Sequence, residues 1–200
     1  MTSLQVMVWD TTGPAYALAC GQLGWLFEAA GPACRHVLPS IVVEEMAELG
    51  VSLDDSTASL CEIFDCNALD SLEDVVALAR WMEILGTDLV EGHNAGEAFV
   101  ALIASRETGS AAIVDDRKAV EAINNEVARA ETAESRLAHG VLWAISRGVI
   151  EGRASTPSAY SGLCDAMLRA DQGRLGVLRW PIQVGEYPSW FEQNRKRLSS

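Results

Sequence analysis

The 200-residue chain predicts an α/β fold: a three-layer sandwich with a short, mostly parallel central sheet and a dominant share of helix. Two observations predict it. Short apolar runs alternate with longer stretches whose apolar residues recur at helical spacing. Two of those runs, "VMVWD" and "AAIVDD", stop abruptly on aspartates. The carboxyl ends of strands are where open parallel sheets bind ligands.

Taken in order, Leu4 to Trp9 reads as a buried strand that ends in the turn-rich Asp10-Thr11-Thr12-Gly13-Pro14. Ala15 to Ala30 predicts one helix, with Leu18, Leu23, Leu26 and Phe27 on a common face and Gly31-Pro32 as its stop. Arg35 to Leu38 is a short strand. Pro39-Ser40 then opens a helix carrying Glu44, Glu45 and Glu48, closed by Gly50. "SLDDSTASLCEIFD" and "SLEDVVALARWMEILG" both read as helices with acidic first turns. The second opens at Ser71 with Asp74 three places on, in the manner of a capping box. Residues 51–95 are therefore expected to form a helical insertion or lid within a domain spanning 1–150.

"HNAGEAFVALIASRETG" gives a further helix with Phe99, Leu102 and Ile103 on one face and Gly109 as its end. "SAAIVDD" is the next strand, and 117–152 is mostly helical with breaks. Residues 151–200 read as a C-terminal helical extension with a basic tail. It holds a helix from Thr156 to about Leu168 and a candidate edge strand in "LGVLRWPIQVGEYPSW".

Composition narrows the function. Hydrophobic residues make up 49% of the chain, ample for a packed core. Twenty-eight acidic against 15 basic residues give a net charge of −13, which excludes a broad, sequence-blind grip on nucleic acid phosphates. In so negative a field a metal ion is welcome, and a polyanionic substrate needs a bridging cation or a local basic strip. No run approaches the roughly 18 apolar residues of a membrane span, and no signal-peptide pattern opens the chain, so a cytoplasmic protein without membrane partners is expected. Cys20, Cys34, Cys61, Cys66 and Cys164 show no metal-binding spacing and read as reduced, mostly buried thiols.

The acids carry the chemistry. Asp10 and the Asp115-Asp116 pair end two strands that, if central and parallel, share one sheet edge. Glu45, soon after Pro39, and Glu97, just after Gly96, come from helix starts and can reach the same place. Carboxylates converging with no Lys or Arg between them repel one another unless a cation intervenes. Mg²⁺ or Mn²⁺ suits an all-oxygen set, and such a site hydrolyses phosphodiesters.

Blander readings apply elsewhere. Asp10 alone could cap a turn, and Glu97 alone could complement a helix dipole. Glu44 and Glu48 read as a solvated helix face. Asp54, Asp55, Asp70, Glu73 and Asp74 read as caps and surface. His36, His93 and His139 show no catalytic pairing. Trp190-Phe191 before "NRKRL" reads either as a stacking strip for single-stranded RNA or, preferably, as a frayed basic tail. Arg117 and Lys118 either meet a substrate phosphate beside the acids or are a surface pair at a helix start.

Four segments in order, "VWDTTGPAYAL", "LPSIVVEEMAEL", "GEAFVALIA" and "AAIVDDRKAV", resemble the PIN-domain proteins, near their VapC-type toxin branch. The resemblance covers roughly residues 4 to 150. It implies a metal-dependent endoribonuclease with Asp10, Glu45, Glu97 and Asp116 as catalytic metal ligands and Asp115 as a fifth. The Pro39-x-x-Val42-x-x-Glu45 register selects Glu45 over Glu44. Thr11 and Thr12 would sit beside metal-bound waters, with Arg117 and Lys118 toward substrate. An RNA substrate, an antitoxin protein covering the cleft and a homodimer are the implied partners. His139-Gly140 stands where the family more often has Gly-Thr. Two other readings stay open. One is a haloacid-dehalogenase-like phosphatase, which "VWDTTG" and "VDD" resemble. There Thr12 replaces an expected acid, and Lys118 and Lys196 are the only lysines available. The other is a PIN-like interaction module without turnover.

Overall fold

The structure, a computed structural model, describes residues 4–87, 95–129, 137–170, 175 and 182–198. Strand β1 (Val6–Trp9) is buried along its whole length, as a strand covered on both faces must be. Helices α1 (Thr12–Ala19) and α2 (Leu23–Ala30) follow. The sequence predicts a single helix over Ala15–Ala30. The chain instead breaks at Gly21, whose φ of 68° lies in the left-handed region that glycine tolerates. Then come β2 (Arg35–Pro39) and α3 (Ser40–Glu48).

Residues 51–87 depart from the expected helical insertion or lid. They supply the short helix α4 (Asp55–Ala58), an edge strand β3 (Glu62–Phe64) and α5 (Leu72–Leu85). Strand β3 pairs with β2 from Val37↔Glu62 to Pro39↔Phe64. Trp81 of α5 is buried in the core. This stretch is a constituent of the layers and not a flap over them. Residues 88–94, including His93, lie outside the described residues.

The rest of the chain forms α6 (Ala95–Arg106), β4 (Ser110–Ile113), α7 (Arg117–Arg129) and β5 (Ala138–His139). Helices α8 (Val141–Ile150), α9 (Ser158–Arg169) and α10 (Tyr187–Leu198) complete it. The five strands pair in the order β3-β2-β1-β4-β5, every pair parallel.

Period-two alternation assigns each strand residue to a face. Met7, Trp9, Leu38, Ala111 and Ile113 join one core, closed by residues of α1, α2, α8, α9 and α10. Val6, Val8, Val37, Ala112, Val114 and Ala138 join the other, closed by α5, α6 and α7. The result is an α/β three-layer sandwich. One of its buried polar residues is His36. Nδ1 of this ring accepts from the Trp9 indole N–H at 3.0 Å, and Nε2 lies 3.0 Å from the Gly31 carbonyl. Since the indole can only donate, Nε2 carries the proton.

The C-terminus corrects a third expectation. Tyr187 and Phe191 of α10 are buried, and the Tyr187 hydroxyl lies 3.0 Å from that of Ser146. Trp190 packs against the same core. The Trp190-Phe191 pair therefore anchors a helix; it neither frays nor forms a stacking strip. Arg195, Lys196 and Arg197 occupy the last turn of that helix. Residues 176–181 of the candidate edge strand in 175–190 lie outside the described residues, and the described stretch from Ile182 runs through a turn into α10 without forming a strand. Among the described residues no helix is long and apolar enough to cross a membrane.

Candidate active site

From β1 the chain steps outward through β2 to β3, then returns to lay β4 on the opposite side of β1. The strand order thus reverses between β1 and β4, and open parallel sheets bind ligands outside the carboxyl ends of their strands at such a point. Asp10 follows β1 directly, with its N–H donating to the Ile113 carbonyl at 2.9 Å. Asp115 lies two residues beyond β4. Strand geometry alone brings these acids to that point.

Two helices bring the others. The half-buried Glu45 stands in α3, and its carboxylate accepts from the hydroxyl of the buried Thr11. Glu97, also half-buried, sits in the first turn of α6. Beside it, Gly96 is open on one side only toward acids. A Cβ placed there would lie 3.3 Å from Asp10 Oδ1 and 3.3 and 3.4 Å from the two Glu45 oxygens. Only glycine leaves that space between α6 and the carboxylates.

The electrostatics are those of an uncompensated cluster. Burial, then the charges of Glu97, Glu45 and Asp115, push the Asp10 carboxyl well above its ordinary range. Glu97 is raised by burial and by Glu45 and Asp116. Glu45 is raised chiefly by burial, against the lowering effect of the Thr11 hydrogen bond. Burial pushes Asp115 to about 6. Among the described residues no Lys, Arg or His forms an ion pair with any of these acids.

The double aspartate divides its labour. Asp115 Oδ1 accepts the Val141 N–H at 2.9 Å and so caps α8, while its buried Oδ2 has no hydrogen-bond partner. Asp116 is exposed. Its Oδ1 accepts the N–H groups of Lys118 at 2.6 Å and Ala119 at 3.2 Å, capping α7. Arg117 and Lys118 are exposed in the first turn of α7, and Thr12, half-buried, opens α1. Asp10, Thr11, Glu45, Glu97 and Asp115 thus gather at one edge. Asp116, Arg117 and Lys118 stand at its rim, and Thr12 begins the helix beneath.

Sequence reading passed over three contributors. Gly96 supplies the space, Gly140 approaches Asp115 Oδ1 to 3.3 Å as measured from an added Cβ, and the Val141 N–H fixes Asp115. The Gly96-Glu97 dipeptide was the one local signal for the first. Gly140 was marked only as part of the His139-Gly140 pair standing where Gly-Thr is commoner, and nothing local marks Val141.

As a metal centre the donors fit Mg²⁺ or Mn²⁺ in kind: all are oxygen, mutually repelling, and one is an orphaned buried carboxylate oxygen. In spacing they are looser. Among the described residues no three His, Cys, Asp or Glu side chains already stand close enough to hold an ion. Glu97 comes from the first turn of α6 and Glu45 from the middle of α3. No protein-family model, curated protein or solved structure matches the chain.

Proposed function

We propose that this chain is a metal-dependent endoribonuclease of the PIN type. The observation that carries the reading is the gathering of buried, uncompensated carboxylates at the switch point of a parallel sheet. Such a cluster opposes folding unless it has a cationic ligand to hold.

On this reading Asp10, Glu45, Glu97 and Asp116 hold Mg²⁺ or Mn²⁺, with Asp115 behind them. The bound ion supplies an activated water and neutralises charge developing on the phosphate. The chain's own residues do the rest. Thr11 keeps the Glu45 carboxylate oriented toward the cluster. Asp115 ties the end of β4 to the start of α8 and so fixes one side of the site. Glu97 holds its proton to higher pH than a free glutamate, so it must give that proton up when the ion binds. Arg117 and Lys118, exposed beside Asp116, meet the substrate phosphate. In a toxin–antitoxin pair, the inhibitory protein would lay an Arg or Lys on the same acids.

The test is cleavage of structured RNAs by the purified protein with Mn²⁺, Mg²⁺ or EDTA, beside Asp10→Asn and Asp116→Asn variants. Cutting that requires the metal and disappears in both variants is expected. Cutting that persists in EDTA or in both variants would overturn the reading.

A further inference from the structure

We infer that the outer face of α5 pairs with the same face of a second copy of this chain, the two helices lying antiparallel about a two-fold axis between Val76 and Ala77. The inner face of α5 is spent on the core, where Leu78, Trp81, Met82 and Leu85 pack. Its outer face is not the polar one that water would favour. Leu72, Val75 and Val76 are 80%, 50% and 60% exposed, and Ala79 is exposed beside them. Positions 72, 75, 76 and 79 recur at the three- and four-residue spacing of a helix seam. An exposed apolar seam of this kind marks a contact surface.

Charge names the occupant. Leu72, Glu73, Val76, Ala77 and Arg80 line a shallow groove along the helix. Glu73 and Arg80 are seven residues apart, so they share one flank and stand about 10 Å from each other along the axis. Their midpoint falls between Val76 and Ala77. A two-fold axis at that point lays Glu73 of each copy against Arg80 of the other, and the pair is made twice. Glu73 has no ion-pair partner among the described residues. Arg80 reaches Glu126 yet keeps 68% of its side chain exposed.

The same operation sets Leu72 near the small Ala79 of the other copy. Val76 and Ala77 at the crossing let the axes approach to about 8 Å, the close end of the usual range. A chain of net charge −13 repels its own copy, so self-association needs a contact where opposite charges meet. This groove supplies one.

The experiment is sedimentation equilibrium of the full chain and of its Leu72→Asp, Glu73→Arg and Arg80→Glu variants, with circular dichroism confirming each fold. Arg129, 3.6 Å from Glu126, remains to pair with that acid in Arg80→Glu. The parent should sediment as a dimer. Leu72→Asp, a change outside the core, should sediment as a monomer. Either charge reversal turns two attractive contacts into two repulsive ones and should weaken the dimer about tenfold. Net charge alone predicts otherwise: Glu73→Arg adds two charges, from −13 to −11, and would strengthen pairing. An equimolar mixture of the two reversed proteins should recover parental affinity, because one copy then presents two basic groups and the other two acidic ones. A monomeric parent, a dimer that survives Leu72→Asp, or a mixture no tighter than its components would overturn the proposal.

Discussion

The hydroxyl of Thr11 donates to the carboxylate of Glu45, joining the exit of the central strand to a helix that begins 29 residues later at Ser40. The bond lowers the Glu45 pKa against the burial that raises it. Thr11→Val keeps the shape and deletes the donor. Because a ligand must lose its proton to bind metal, Mn²⁺ affinity should fall several-fold, and further at pH 6 than at pH 8. Titration calorimetry at the two pH values checks this; an equal loss at both would refute it.

Asp10→Asn should make the metal-free protein more stable while abolishing cleavage. The Asp10 carboxyl is raised by burial and by three neighbouring acids, so its ionised form opposes folding at pH 7. A gain of even ~1 kcal/mol shows as a rise of about 2–4 °C in Tm for a chain of this size. The same variant should lose most of the Tm increase that Mn²⁺ gives the parent.

Asp116 bears two duties that substitution can separate. Asn can still accept the Lys118 and Ala119 N–H groups, whereas Ala cannot. Both variants should lack cleavage. Asp116→Ala should also be less stable than Asp116→Asn by about 1 kcal/mol, the usual worth of an N-cap, and thermal unfolding reads the difference.

Gly96→Ala introduces a methyl at 3.3–3.4 Å from Asp10 and Glu45. Alanine favours helix over glycine by roughly 1 kcal/mol, which offsets much of the crowding in the metal-free protein. The expected result is near-parental stability with Mn²⁺ affinity reduced at least tenfold. Parental affinity would mean that the space serves no ligand.

The pH dependence of stability should reverse when metal is added. A carboxyl whose folded pKa is raised binds its proton first in the native state, so stability rises as pH falls through that value. For Asp115 the window runs from about 6 down to 3.8 and is worth about 3 kcal/mol. Asp10, Glu45 and Glu97 act in the same direction. His36 opposes them. Burial, aided by the nearby charge of Arg147, holds it neutral to about pH 4, so stability is lost as pH falls from 6.5 toward 4. The acids outnumber it, and the metal-free protein should resist urea better at pH 5.5 than at pH 7.5. With saturating Mn²⁺ the order should invert, because protons then compete with the ion.

Much of this architecture was legible because burial writes itself into composition. β1 and β4 are apolar runs ended by Asp, and the Ser71 cap of α5 is realised, with Asp74 N–H donating to Ser71 Oγ at 3.0 Å. β3 was illegible for the converse reason: Glu62 and Ile63 on an edge strand are exposed, leaving no alternation to read. β5 is two residues long, below any periodicity. In the site, residue types and order pointed to Asp10, Glu45, Glu97 and the double Asp. That Asp115 caps a helix 26 residues away is a tertiary fact that no local pattern encodes.

The sheet order also sets a timetable for synthesis. β1 leaves the ribosome first yet occupies the middle of the sheet, between a strand that starts at Arg35 and one that starts at Ser110. Asp10 must wait for both neighbours, and Asp115 has no anchor until Val141 has emerged. A nascent chain that has passed Asp116 but not Val141 therefore carries the acids without the site. On the ribonuclease reading, the chain would become active only once synthesis has passed Val141 and the strands on both sides of β1 are in place.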